Sequence, residues 1–138
     1  MQPSTLPQAV RDRLRDKSPA TRIAVVGASV DPSKYGNIIV RNLSSQGYAV
    51  LPVNPKATSI EGLPAFPDPA SVPGPVHVVN FVTPPPVTRQ VLERLDPASV
   101  EAVWLQDGSF DDEVLELART RFPQVVHHAC IMVVARTS

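Results

Sequence analysis

The stretch Arg22-Ile23-Ala24-Val25-Val26-Gly27-Ala28-Ser29 decides how this chain folds. Residues 23–26 are apolar on both faces of an extended backbone and include β-branched side chains. Such a run reads as a strand buried from both sides, as in a parallel sheet covered by helices. Gly27 ends the run at a turn. Beyond the loop at Asp31-Pro32, residues 35–46 set Ile38, Ile39 and Leu43 at helical spacing, and Gly47 supplies a stop signal. Tyr48-Ala49-Val50-Leu51-Pro52-Val53 is a second strand. Strand, helix and strand within about 30 residues make a βαβ unit.

The alternation extends in both directions. Upstream, Leu6, Val10 and Leu14 form one apolar stripe, so residues 6–16 read as a short amphipathic helix that Ser18-Pro19 ends. Downstream, residues 54–75 form a long connection rich in Pro and Gly, with room for a small strand near Ala65-Phe66. Val76-His77-Val78-Val79-Asn80-Phe81-Val82 is a third strand. Pro84-Pro85-Pro86 opens a helix over residues 87–95, since proline is tolerated in a first turn. Glu101-Ala102-Val103-Trp104-Leu105 is a fourth strand. Phe110-Asp111-Asp112-Glu113 begins a helix that runs to about Arg121, with acids where the macrodipole favours them. Gln124-Val125-Val126 is a fifth strand, and Ile131-Met132-Val133-Val134 reads as a last edge strand or a packed tail. The chain is therefore a doubly wound α/β protein with a mainly parallel sheet of five or six strands. Residues 1–19 form an N-terminal helix and linker, and residues 20–138 a single domain.

Composition narrows the function. The chain has 138 residues, 13 basic and 13 acidic, with 43% hydrophobic residues. That supports a packed core and gives no broad basic face for nucleic acid. The 16 prolines, about twice the usual share, are scattered through connections and stiffen them. One cysteine, Cys130, excludes an internal disulfide and a Cys-rich zinc site. Met1-Gln2-Pro3-Ser4 has no leader pattern, and no apolar run approaches the ~20 residues a membrane helix needs. The expectation is a cytoplasmic protein without membrane or nucleic-acid partners. Exposed apolar edges leave a homodimer open.

In doubly wound sheets, ligands bind beyond the carboxyl ends of the strands, where the strand order switches. The first such turn is Gly27-Ala28-Ser29, with Lys34-Tyr35-Gly36 leading into the helix. Gly27 permits a tight turn, the amides ahead of the helix can receive phosphate oxygens, Ser29 adds a donor and Lys34 a charge. The pattern is neither G-x-G-x-x-G nor a P-loop. An unoccupied strand-to-helix turn would look the same. After the second strand, a site for unphosphorylated NAD would place an acid on the ribose hydroxyls. This chain has Asn54-Pro55-Lys56, and a lysine attracts a ribose phosphate. That favours coenzyme A or NADP over NAD, unless Lys56 is simply a solvated loop residue.

These segments, taken in order, resemble a known family. Ile23 through Ser29, then Gly36, Val50-Leu51-Pro52-Val53-Asn54-Pro55-Lys56 and Gly62-Leu63-Pro64-Ala65-Phe66 are similar to the small stand-alone CoA-binding proteins. Trp104-Leu105-Gln106-Asp107-Gly108 and Ala129-Cys130-Ile131-Met132 continue the match. The same domain resembles the N-terminal part of the succinyl-CoA synthetase α chain and of ADP-forming acyl-CoA synthetases. The resemblance implies a Rossmann-like domain that binds coenzyme A or a short acyl-CoA. It sets Gly27, Ala28 and Ser29 against the diphosphate, with Lys34, Tyr35 and Gly36 beside it. Asn54, Pro55 and Lys56 meet the adenosine end, Lys56 near the 3′-phosphate. Val82, Thr83 and Pro84 lie beside adenine or pantetheine. Many stand-alone members carry an arginine-bearing turn at that last point. Phe81-Val82-Thr83-Pro84-Pro85-Pro86 is closer to the synthetase pattern.

No nucleophile–base pair stands out, so the expected role is a non-catalytic carrier, sensor or regulatory module of acyl-CoA metabolism. Two other classes remain: an NADP-binding redox module, and an interaction module with a vestigial nucleotide site. His127 and His128 have no carboxylate beside them in sequence and read as structural or solvated. His77 reads as a core or face residue, and Trp104 as core. Cys130 reads first as a small buried hydrophobe. A mixed disulfide with coenzyme A is the alternative.

Overall fold

The computed structural model describes residues 6–138. Residues 1–5, which include Met1-Gln2-Pro3-Ser4, lie outside the described part. The elements are α1 (Gln8–Arg15), β1 (Arg22–Val26), α2 (Tyr35–Ser45), β2 (Ala49–Val53), β3 (Ser59–Ile60), β4 (Leu63–Pro64), β5 (Val78–Phe81), α3 (Pro85–Arg94), β6 (Ala102–Leu105), α4 (Asp112–Arg121), β7 (Val125–His127) and α5 (Ile131–Arg136). Five strands form one parallel sheet in the order β2-β1-β5-β6-β7. The chain winds outward from β1 first to β2 and then, in the other direction, through β5, β6 and β7. The switch point therefore falls between β1 and β5, where Val26 lies opposite Phe81.

Both faces of the sheet are buried, as the unbroken apolar runs require. Ile23, Val25, Val78 and Trp104 face a core closed by α1, α2 and α5. Ala24, Val26, Val79, Phe81 and Leu105 face a second core closed by α3 and α4. The N-terminal helix belongs to the first core through Val10 and Leu14. It is tied down where Tyr48 donates its hydroxyl to the Leu14 carbonyl and Arg13 pairs with Glu101.

Two expectations are corrected. Residues 131–134, expected as an edge strand or a packed tail, are no strand: they pack on the core as part of the helix α5. Their β-branched run suits a strand by propensity, yet Ile131 and Ala135, four residues apart, are buried while Val133 is exposed. Packing on α1 and α2 overrides propensity. The small strand expected at Ala65-Phe66 is displaced: β3 and β4 pair as a hairpin through Glu61 and Gly62, both at positive φ. Phe66 adds only a single bridge to Val53. The crossover from β2 to β5 contains no α-helix, only this hairpin and a 3-10 turn at Pro69–Ser71.

Candidate functional site

The site is built at the carboxyl ends of β1, β2 and β5. Gly27 sits at φ +99°, and a β-carbon there would lie 2.8 Å from Val82 Cγ2. Gly36, in the first turn of α2, is more constrained: a β-carbon would come within 2.0 Å of the Gly27 carbonyl oxygen. The two glycines thus press the start of α2 against the turn after β1, backbone to backbone. Asn54 holds the same turn from β2 by donating its side-chain amide to the Ala28 carbonyl at 2.9 Å. Its Oδ1 accepts the Lys56 N–H at 2.8 Å, which folds 54–56 into an Asx turn. The loop before α2 is anchored by buried Asn37, which donates to the Ser29 carbonyl at 2.9 Å and to Glu61 at 3.0 Å.

Beside this turn, on the α3 face, opens a cavity of about 560 Å³. Gly27, Ala28, Val53, Asn54, Pro55 and Thr83 line its mouth. Val87, Gln90, Val91, Arg94 and Leu95 form the α3 wall, and residues 67–70 the roof. The missing crossover helix makes the room, because a proline-rich loop covers the sheet where a helix would otherwise pack. The walls are mainly apolar, with Asn54, Thr83, Gln90, Arg94 and Asp68 as polar points, the pattern of a small-molecule site. Thr83 is fixed by Thr88, whose hydroxyl lies 2.8 Å from that of Thr83. Arg94 is exposed and enters none of the ion pairs found among the described residues.

Of the residues expected from sequence, Gly27, Ala28, Asn54, Pro55 and Thr83 come together at this cavity. Ser29, Lys34, Gly36, Lys56, Val82 and Pro84 do not line it. Gly36 and Val82 act through their contact with Gly27, and Pro84 is the N-cap of α3. Lys34 and Lys56 are exposed. Tyr35 points elsewhere, to the α5 side of the sheet. The α3 wall and the roof were not singled out from sequence. Val87, Val91 and Leu95 recur at four-residue spacing on the helix that follows the switch-point strand, and that stripe was the available signal.

On the α5 side lies a second polar group. The Tyr35 hydroxyl is 3.2 Å from Cys130 Sγ and accepts a hydrogen bond from Gln106 Nε2 at 3.1 Å. Gln106, 2% exposed, also accepts the Ile131 N–H at 2.9 Å and so fixes the start of α5. Burial, aided by the Cys130 neighbour, pushes the Tyr35 hydroxyl up to about 12. Burial pushes the Cys130 thiol up, but hydrogen bonds from Tyr35, from the Val133 and Met132 amides and from Gln106 together bring it below the ordinary thiol value. One strand position back from the sheet end, Asn80 is fully buried, and neither atom of its side-chain amide has a hydrogen-bond partner among the described residues. An unmatched buried amide costs about 1–3 kcal/mol. Asn80 stands beside Trp104 in register, on the face whose next positions toward the edge are Val82 and Gln106. Trp104 is fully buried, and its ring N–H donates to the Ala129 carbonyl at 2.8 Å, next to Cys130.

The histidines are held structurally. Arg119 donates to His127 Nε2 at 3.1 Å, which leaves the proton on Nδ1 to be donated to His128 Nδ1. His77 Nδ1 accepts the Arg22 N–H at 3.0 Å. Among the described residues, no three His, Cys, Asp or Glu side chains converge as a metal site would need, and no helix is long and apolar enough to cross a membrane.

A parallel sheet with its switch point at a tight glycine turn, and an apolar cavity at the strand ends, defines a doubly wound, Rossmann-like domain. The family model of a CoA binding domain matches residues 21–136, and the chain belongs to that family. It is 27% identical over 112 residues to the uncharacterized protein YneT of Bacillus subtilis (strain 168), covering 81% of this chain and 83% of that one. It is 28% identical over 120 residues to subunit alpha of the ADP-forming acetate–CoA ligase II of Pyrococcus furiosus. That match covers 79% of this chain but only 26% of the subunit. Among solved structures, a conserved hypothetical protein from Pyrococcus furiosus superposes with a TM-score of 0.77 at 40% identity. The superposition covers 82% of this chain and 97% of that one.

Proposed function

We propose that this chain binds coenzyme A or a short acyl-CoA and serves as a non-catalytic carrier, sensor or regulatory module. The observation that carries the reading is the backbone contact of Gly36 with Gly27 at the mouth of the cavity. It keeps side chains away from the turn and brings the first amides of α2 to where a diphosphate can approach. Ser29 and Lys34 add a hydroxyl and a positive charge to that approach. The adenosine end enters the cavity between the apolar α3 wall and the roof. At the end of β2, Asn54 stands where an acid would repel a ribose phosphate, and Lys56 faces the 3′-phosphate. The family supports the ligand class. The α-subunit relative suggests the metabolic setting: the match spans 26% of that ligase subunit.

The test is calorimetric titration of nucleotide-free protein with coenzyme A, dephospho-CoA and NADP in parallel. Coenzyme A binding more tightly than both others supports the reading and the role of Lys56. NADP binding most tightly would move the protein to the redox class. No heat from any of the three would leave a vestigial site.

A further inference from the structure

Two opposite charges face the cavity without meeting. Arg94 lines it from the last turn of α3 and Asp68 from the roof, yet the two do not pair with each other. A basic residue at a helix end ordinarily serves the last carbonyls. At α3 that role falls to Arg121, which donates to the Leu92 and Leu95 carbonyls at 3.1 and 3.0 Å. The neighbouring Glu93 pairs with Arg89 instead. Val87, Val91 and Arg94 share one face of the helix over about 10 Å, and a helical side chain leans toward its own N-terminus. The Arg94 guanidinium therefore extends back along the apolar wall, toward the crest that the glycine turn forms at the strand ends.

Asp68 is fixed as well. Its Oδ1 accepts the Ser71 N–H at 2.9 Å and caps the 3-10 turn. Its Oδ2 enters no hydrogen bond among the described residues. Together these charges decide what the cavity admits. A phosphate or carboxylate would be repelled by Asp68, and an ammonium group by Arg94. A neutral planar ring with both a donor and acceptors on its edge suits both walls. Among the described residues that line the cavity there is no aromatic ring, so the guanidinium is the broad flat group available to lie on such a ring.

We propose that Arg94 and Asp68 are the specificity-determining pair for the base of the ligand: the guanidinium lies on the face of an adenine, and Asp68 Oδ2 accepts a hydrogen bond from its exocyclic amino group. The inference deepens the reading above and rests on it for the place of the diphosphate. It uses only the adenosine diphosphate part that coenzyme A shares with ADP. Lys56, which does not line the cavity, is left to the ribose phosphate. A hypoxanthine base carries a carbonyl oxygen where adenine carries the amino group, and that oxygen would face a carboxylate that has no proton to give.

The parent protein, Arg94→Ala, Arg94→Lys and Asp68→Asn are titrated calorimetrically with ADP, inosine diphosphate and coenzyme A. The parent is expected to bind ADP at least about tenfold more tightly than inosine diphosphate, the effect of one hydrogen bond to a charged acceptor. Asp68→Asn keeps an oxygen on the Ser71 N–H and turns an NH2 group to the base, so the preference is lost or inverted. Arg94→Ala weakens ADP and coenzyme A by about tenfold each. Arg94→Lys does not restore them, because an ammonium group offers no flat surface. Arg94 is exposed, so its variants are expected to fold as the parent does. Equal affinity of the parent for ADP and inosine diphosphate overturns the role of Asp68, and an Arg94→Lys protein that binds like the parent overturns that of Arg94. Coenzyme A binding without ADP binding, or unaffected by Arg94→Ala, overturns this inference alone. ADP binding with the expected base preference but no coenzyme A binding supports the base site and removes coenzyme A as the ligand. No binding of any of the three overturns both.

Discussion

Replacing Gly36 by alanine tests the central contact of the site. On an ordinary helix this change stabilises by about 0.5–1 kcal/mol, because glycine loses more backbone freedom on folding. Gly36 lies in α2 without a positive φ, so no conformational penalty attaches to the new side chain. The obstacle is steric: the methyl group would lie 2.0 Å from the Gly27 carbonyl oxygen and 2.9 Å from its carbon. Contact at about 3 Å or more requires the first turn of α2 to move away by roughly 1 Å, and overpacking of that kind costs about 1–3 kcal/mol. The upper end applies, since the atom struck is backbone and cannot rotate aside. The net loss is then about 2 kcal/mol, or roughly 6–10 °C in Tm for a domain of this size. Coenzyme A affinity falls with it, because the same movement opens the turn. Thermal unfolding by circular dichroism reads the first effect and calorimetry the second. A Gly36→Ala protein as stable as the parent, with unchanged coenzyme A affinity, would refute the reasoning.

Three further changes probe other parts of the argument. Lys56→Glu is expected to weaken coenzyme A about ten- to hundredfold while dephospho-CoA changes little, since a charge-assisted hydrogen bond contributes about 1.5–3 kcal/mol. Equal loss for both ligands, measured by calorimetry, would remove Lys56 from the 3′-phosphate. Asn80→Leu is expected to raise stability by about 1–2 kcal/mol, because it deletes a buried amide without partners. Urea unfolding checks the gain. His77 and His127 are both held below the ordinary imidazole value of 6.5, chiefly by burial, with Arg13 acting on His77 and with His128 and Arg119 acting on His127. The unfolded chain therefore binds these protons more readily, so their contribution is present above about pH 6.5 and is lost as pH falls through the folded values. Tm should drop between pH 7 and 5, and His77→Gln should flatten part of that slope.

The fold was legible because its strands are buried on both faces. Ile23 to Val26 and Val78 to Phe81 leave no polar side for solvent except Asn80, and Gly27 marks where the first of them turns. The end of the chain was not legible for the opposite reason. Residues 131–134 suit strand and helix alike, and only the partners of Ile131 and Ala135 in the first core decide between them. For the site, the strand-end turns could be read because each carries a residue of special backbone or charge: Gly27, Asn54, Lys56. The cavity's other half could not. Its α3 wall is an ordinary apolar stripe, and its roof exists only because residues 54–77 form no α-helix. Tyr35 was assigned with its neighbours in the chain, but a helix start turns successive side chains in different directions, and this one meets Cys130.

The loop that replaces a crossover helix has a consequence for how such a module changes over time. Phe66 links it to the end of β2, donating to the Pro52 carbonyl and accepting from the Asn54 N–H, each at 2.9 Å. Residues 67–70 beyond that link can lengthen, shorten or exchange side chains without breaking a strand pairing. Its prolines also limit the wandering of the unfolded chain, so a variable segment adds little entropic penalty. The sheet and the glycine crest then act as an invariant chassis, and ligand preference becomes a property of a replaceable cover.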